Sequence, residues 1–185
     1  WKKVVDAKVN PKKKVSIAIV GKYVDLKDSY KSLNEALDHA GIKNLAKVEV
    51  NMIDAAKITK RNVSKILKTF QAVLIPGGFG TRGIEGMIIA CKYARENKLP
   101  YFGICLGMQL LCEFTEEGNI EGLVIIKGTV KRFTNEVKVP QMGWNSIHRL
   151  NGPLFDGIET GSYMYLVHSY FVPELKETMA ISNYN

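Results

Sequence analysis

Four short apolar runs separated by stretches of helical character decide what the first half of this chain can become. Residues 15–20 read as a buried strand, and residues 32–39 as a helix stopped by Gly41. Residues 47–53 alternate through Val48, Val50 and Met52 as a strand, with Asp54 placed to cap the next turn. Over residues 62–70, Val63, Ile66, Leu67 and Phe70 stand at helical spacing behind Asn62, an N-cap candidate. A strand over residues 72–75, a helix over 84–97, a strand over 100–104 and a final helical run reaching Phe114 complete the series. Strands alternating with helices call for an α/β fold with a doubly wound, mostly parallel sheet. Ligands of such sheets bind at the carboxyl ends of the strands. Beyond Phe114 the pattern changes to β segments over residues 128–133, 145–149, 163–172 and 178–182, which read as antiparallel additions covering one side of that sheet.

Two glycine-rich turns fall at those carboxyl ends. Pro76-Gly77-Gly78-Phe79-Gly80 closes the strand over residues 72–75, and Gly103-Ile104-Cys105-Leu106-Gly107-Met108-Gln109 follows the strand over 100–104. The second sets a cysteine at a sharp turn between strand and helix. A helix N-terminus there favours thiolate over thiol, and its backbone N–H groups are able to hold a developing oxyanion. The glycines permit the close backbone approach that a nucleophile elbow demands. Chemically, Cys105 reads as a nucleophile for an acyl carbon, with oxyanion donors from the backbone N–H groups of Leu106 and Gly78. Cys91 and Cys112 sit in helical patterns and read as small buried hydrophobes.

These two turns resemble those of the triad (class I) glutamine amidotransferases. The resemblance implies that the cysteine attacks the carboxamide of glutamine, forms a γ-glutamyl thioester and releases ammonia. Residues 1 to about 111 resemble the start of the CTP synthase glutaminase domain, carried by Ile17-Ala18-Ile19-Val20-Gly21-Lys22-Tyr23-Val24, Asp28-Ser29-Tyr30-Lys31-Ser32, Glu35-Ala36-Leu37-Asp38-His39-Ala40-Gly41 and Pro76-Gly77-Gly78-Phe79-Gly80-Thr81-Arg82-Gly83. From about residue 112 the chain is similar instead to the glutaminase subunit of imidazole glycerol phosphate synthase, through Glu116-Glu117-Gly118-Asn119-Ile120-Glu121-Gly122-Leu123, Val139-Pro140-Gln141-Met142-Gly143-Trp144-Asn145 and Tyr165-Leu166-Val167-His168-Ser169-Tyr170. The two agree on glutamine hydrolysis and differ on the synthase that uses the ammonia, a pattern open to a chimera or to a divergent natural chain.

The resemblance also implies a substrate site. Gly77, Gly107, Met108 and Gln109 would border the bound glutamine, with Gln109 reaching back from one turn beyond Cys105 to its amino-acid end. Glu117 would receive the α-ammonium, and His168, Ser169 and Tyr170 would contact the substrate, the last two through their backbone. Trp144 reads either as part of a face toward the synthase or as a core anchor. The family's general base and its orienting carboxylate come from a His-Pro-Glu element that these 185 residues do not contain. Of the three histidines, His39 and His148 read as surface residues and His168 as a core or binding residue ahead of a base. Two functions are consistent with this pattern: a glutaminase feeding a synthase, with CTP synthesis from UTP and ATP as the leading context, or an amidotransferase-like module that binds without turnover.

Composition narrows the rest. A chain of 185 residues, 46% hydrophobic, suffices for one core, and the resemblance implies one glutaminase domain over residues 15–185 behind a basic lead-in over residues 1–14. The formal net charge of +8 gathers first in Lys2, Lys3, Lys8, Lys12, Lys13 and Lys14. Without interleaved aromatics these lysines read as solvated rather than as a nucleic-acid surface. No apolar run long enough to span a membrane is present. An odd cysteine count points to a reducing compartment, the cytoplasm. No metal-ligand spacing occurs, so no metal or cofactor is expected in this domain; the resemblance implies ATP and magnesium only in an associated CTP synthase domain.

Overall fold

The computed structural model describes residues 1–24, 28–78 and 80–184. They fall into two compact units, Trp1–Met108 and Gln109–Asn185.

In the first unit the order is α1 (Lys2–Val9), β1 (Lys13–Gly21), α2 (Lys31–Lys43), β2 (Ala46–Asp54), α3 (Val63–Leu67), β3 (Ala72–Ile75), α4 (Ile84–Glu96) and β4 (Tyr101–Gly103), with α5 (Leu106–Gln109) running to the unit boundary. The four strands form one parallel sheet in the order β2-β1-β3-β4. The expected parallel α/β architecture is therefore present. In β1, Ala18, Ile19 and Val20 are all buried, as a central parallel strand covered on both faces requires. Burial of a side chain such as Ile19 contributes about 1.5–3 kcal/mol. In α4, Met87, Ala90, Cys91 and Ala94 recur at helical spacing and are all buried. Gly86 lets this helix come close: a Cβ there would lie 1.8 Å from the Ala55 carbonyl oxygen.

Several local expectations change. The basic lead-in contains α1, whose Ala7 is buried and whose Lys8 pairs with Asp38 of α2 at 2.6 Å. Gly41 does not stop α2, which runs on to Lys43; a Cβ at Gly41 would lie 2.6 Å from the Ala46 carbonyl oxygen, so the glycine serves close packing on β2. Asp54 does cap the turn after β2, accepting from the Ala56 N–H at 3.0 Å. Asn62 spends its side chain on the preceding turn, accepting from the Thr59 N–H and donating to the Lys57 carbonyl, so it does not cap α3.

The largest revision concerns the segment after Cys105. The helix expected to reach Phe114 is a single turn ending at Gln109, and β5 (Cys112–Thr115) follows. Short apolar runs fit either period; here cross-strand pairing with Ile126, Thr129 and Val130 decides for strand.

The second unit continues with β6 (Ile120–Glu121), β7 (Ile126–Arg132), β8 (Gln141–His148), β9 (Tyr163–His168), β10 (Tyr170–Phe171) and β11 (Ile181–Ser182). One sheet has the order β10-β7-β5-β6 and another β11-β8-β9. All their pairings are antiparallel except β5 with β7. The strand expected over residues 163–172 breaks at Ser169, and its two halves join different sheets. Trp144 is 68% exposed and edge-on to Tyr165 with ring centroids 5.5 Å apart. It is no core anchor.

Candidate active site

The strand order places the topological switch between β1 and β3, since the chain moves outward from β1 to β2 and returns on the other side to β3. Lys22 follows β1, Gly77 and Gly78 follow β3, and Cys105 follows β4.

Cys105 is exposed and has φ +52°, a left-handed conformation that costs a side-chain-bearing residue ~1–3 kcal/mol. Its surroundings hold it there. The Ile104 N–H donates to the Ile75 carbonyl at 2.9 Å, and the Gly107 and Met108 N–H groups donate to the Ile104 and Cys105 carbonyls, each at 3.0 Å. Gly103 and Gly107 permit this compaction. A Cβ at Gly103 would stand 2.4 Å from the Gly107 carbonyl carbon, and one at Gly107 would stand 2.1 Å from the Ile75 carbonyl oxygen. Because α5 is one turn, it sums few peptide dipoles, and the expected help from a long helix to the thiolate is reduced. The elbow's contribution is local. Among the described residues, the N–H groups of Leu106 and Gly78 meet no acceptor.

Gly77 borders Cys105. A Cβ at Gly77 would lie 3.0 Å from Cys105 Cβ and 3.4 Å from its Sγ, whereas one at Gly78 would lie 3.0 Å from Lys22 Cδ. The sequence-predicted Gly77, Gly78, Cys105, Leu106, Gly107 and Met108 thus belong to one corner of the first unit. Tyr101 supports that corner from beneath, donating its hydroxyl to the Gly107 carbonyl at 2.5 Å. Burial and the neighbouring Cys91 raise the Tyr101 phenol above its ordinary range, so it stays a donor. Burial raises the Cys91 thiol, opposed by its hydrogen bond to Tyr101 and by the charge of Arg95. Burial also raises the Cys112 thiol. Both therefore behave as inert, neutral side chains.

The remaining predicted site residues lie in the second unit. Gln109 is 5% exposed, so it is not an ordinary surface residue. Glu117 is half-buried in the turn between β5 and β6, its N–H donating to Thr115 Oγ1 at 3.0 Å. His168 Nδ1 bonds the Tyr170 carbonyl at 2.7 Å, and its ring packs 5.2 Å from that of Phe133. The Ser169 carbonyl accepts from the Phe133 N–H at 3.0 Å. The Ser169 and Tyr170 carbonyls thus have partners within the unit. His39 is exposed, as expected, while His148 is half-buried, with Nε2 2.8 Å from Ser146 Oγ. Among the described residues no three His, Cys, Asp or Glu side chains gather as metal ligands, and no helix is long and apolar enough to cross a membrane.

Sequence reasoning gave no role to Lys22 or Tyr101. Lys22 is 3% exposed. Its Nζ donates to the carbonyls of Gly78 and Gly80, its N–H donates to Tyr30 Oη at 3.1 Å, and its carbonyl accepts from Arg82 at 3.2 Å. A lysine directly behind the buried end of a central strand was the available signal.

Residues 25–185 match the family described as glutamine amidotransferase class-I, and the chain belongs to that family. Within it, the chain is similar to the CTP synthase of Wigglesworthia glossinidia brevipalpis, 49% identical over 157 residues, and to the CTP synthase of Oleidesulfovibrio alaskensis, 53% identical over 124 residues. These matches cover 82% and 66% of this chain but only 28% and 22% of the relatives' own lengths. Coverage of 82% is more than residues 1–111 provide, so the first likeness continues into the second unit. Among solved structures, the glutaminase domain of Trypanosoma brucei CTPS with bound acivicin aligns with a TM-score of 0.66 at 24% identity, over 85% of this chain and 68% of that one. That likeness establishes the fold.

Proposed function

We propose that this chain is the glutaminase domain of a CTP synthase. The reading rests above all on Cys105, an exposed thiol in a left-handed backbone conformation with Gly77 against its sulfur. The thiolate attacks the carboxamide carbon of glutamine, forming a C–S bond as the carbonyl π pair moves onto oxygen. The N–H groups of Leu106 and Gly78 stabilise that oxyanion, a contribution of ~3–4 kcal/mol for a single well-placed donor. Collapse of the tetrahedral intermediate expels ammonia, which takes up a proton as it leaves, and a γ-glutamyl thioester remains. Water hydrolyses the thioester to glutamate and regenerates the thiol. The base that accepts and returns protons belongs, by resemblance to the family, to the His-Pro-Glu element.

Gly77, Gly107, Met108, Gln109, Glu117, His168, Ser169 and Tyr170 bind the substrate on this reading. The ammonia passes to a synthase domain that converts UTP to CTP with ATP and magnesium. The CTP synthase context is preferred because the similarity to those relatives extends past the elbow. As a test, Cys105→Ala in the full-length protein should lower glutamine-dependent CTP synthesis by at least ~10⁴-fold while ammonia-dependent synthesis persists. Equal loss of both activities would contradict the assignment.

A further inference from the structure

The proposed chemistry places an oxyanion donor on the Gly77-Gly78 turn, and two adjacent glycines are the least conformationally restrained pair a chain can use. Something outside the turn has to hold it. Gly77 leans on Cys105, and Gly78 leans on the stem of Lys22, whose Cδ would stand 3.0 Å from a Cβ there. The same side chain ends in a buried ammonium that donates to the Gly78 carbonyl at 3.4 Å and to the Gly80 carbonyl. Burying an ammonium is costly unless its donors are satisfied, so the turn's carbonyls and Lys22 hold one another in place. The lysine backbone is itself fixed, by Tyr30 on its N–H and Arg82 on its carbonyl.

We propose that Lys22 is a positioning residue for acyl transfer: its ammonium pins the Gly77-Gly78 turn so that the Gly78 N–H stays directed at the acyl group on Cys105. This rests on the glutaminase reading above. Lys22 forms no bond to substrate; it acts through the turn.

The test uses Lys22→Met, which keeps the stem and removes the ammonium, and Lys22→Gln, which keeps a shorter neutral donor, both in the full chain. Amide hydrogen exchange over residues 76–83 should quicken at least ~10-fold in Lys22→Met, while β1 and β3 keep their protection. Acylation of Cys105 by glutamine should slow ~100-fold, the loss typical of one oxyanion donor, with half-saturation by glutamine within ~3-fold because the contact forms in the transition state. Alkylation of Cys105 by iodoacetamide creates no oxyanion and should change less than ~2-fold. Lys22→Gln should fall between Lys22→Met and wild type. Unchanged exchange over residues 76–83, or acylation and alkylation falling together with lost protection in β1 and β3, would overturn the proposal. Wild-type chain that alkylates at Cys105 but takes no acyl group from glutamine would instead overturn the glutaminase reading itself.

Discussion

The two units solve different problems. In Trp1–Met108 the backbone is drawn together until side chains are excluded, at Gly41 against β2, Gly86 against Ala55, and Gly103 and Gly107 within the elbow. In Gln109–Asn185 the sheets are short, and the buried apolar residues among those described are Leu110, Cys112, Val130 and Ile147. There β8 and β9 instead expose Met142, Trp144, Tyr163 and Tyr165, which the register places on one face. Cys105 sits among these close approaches. A strained φ at Cys105 persists only if its neighbours over-determine it, and the first unit supplies those neighbours.

That contrast can be tested by substitution. Gly86→Ala drives a methyl into the Ala55 carbonyl, where no side chain can yield. We expect a loss of about 3 kcal/mol by denaturant unfolding, the upper end for an overpacked site; a loss below about 1 kcal/mol would mean that the helix-to-turn contact is looser than described. Tyr101→Phe removes the hydroxyl bonded to the Gly107 carbonyl, and should cost about 1–2 kcal/mol and slow Cys105 acylation ~10-fold. Stability unchanged in this variant would detach the elbow from its support. Trp144→Ala, on the exposed face, should cost about 0.5–1 kcal/mol, the worth of its edge-on contact with Tyr165. A larger loss would show that this face is structurally required.

The pH dependence should distinguish neither unit. Burial raises Cys91 in the first and Cys112 in the second above their ordinary value of 9.0. Both thiols stay protonated in the folded chain after they would ionise in the unfolded one. Their contribution is therefore fully present below about pH 8.5 and is lost as pH rises toward their folded-state values. Urea midpoints should be level from pH 7 to 8.5 and then decline, with Cys91→Ala and Cys112→Ala each flattening the decline. A decline equally steep in both variants would contradict the assignment.

The same contrast governs what the sequence made legible. Strand β3 is legible to the residue because four apolar side chains stand between Gln71 and Pro76 with no competing pattern. The elbow was legible because Gly-x-Cys-x-Gly is itself a statement about backbone geometry. Strand β5 was not, since Leu110, Leu111, Cys112 and Phe114 satisfy helix and strand alike, and only pairing with β7, a long-range fact, decides. Gly41 reads locally as a helix stop, whereas its reason is a strand packed against it. Lys22 escaped because lysines are usually solvated, and nothing local marks one that folds inward onto a glycine turn. Trp144, weighed as a core anchor, proved exposed because β8 turns that face outward.

The most direct measurement of the central claim is peptide-level mass spectrometry after brief exposure of the protein to a glutamine-mimicking electrophile, with and without excess glutamine. We expect one adduct, on Cys105, whose formation glutamine suppresses, with Cys91 and Cys112 unmodified. Absence of an adduct on Cys105, or labelling of all three cysteines without protection by glutamine, would contradict a glutamine site built on this elbow.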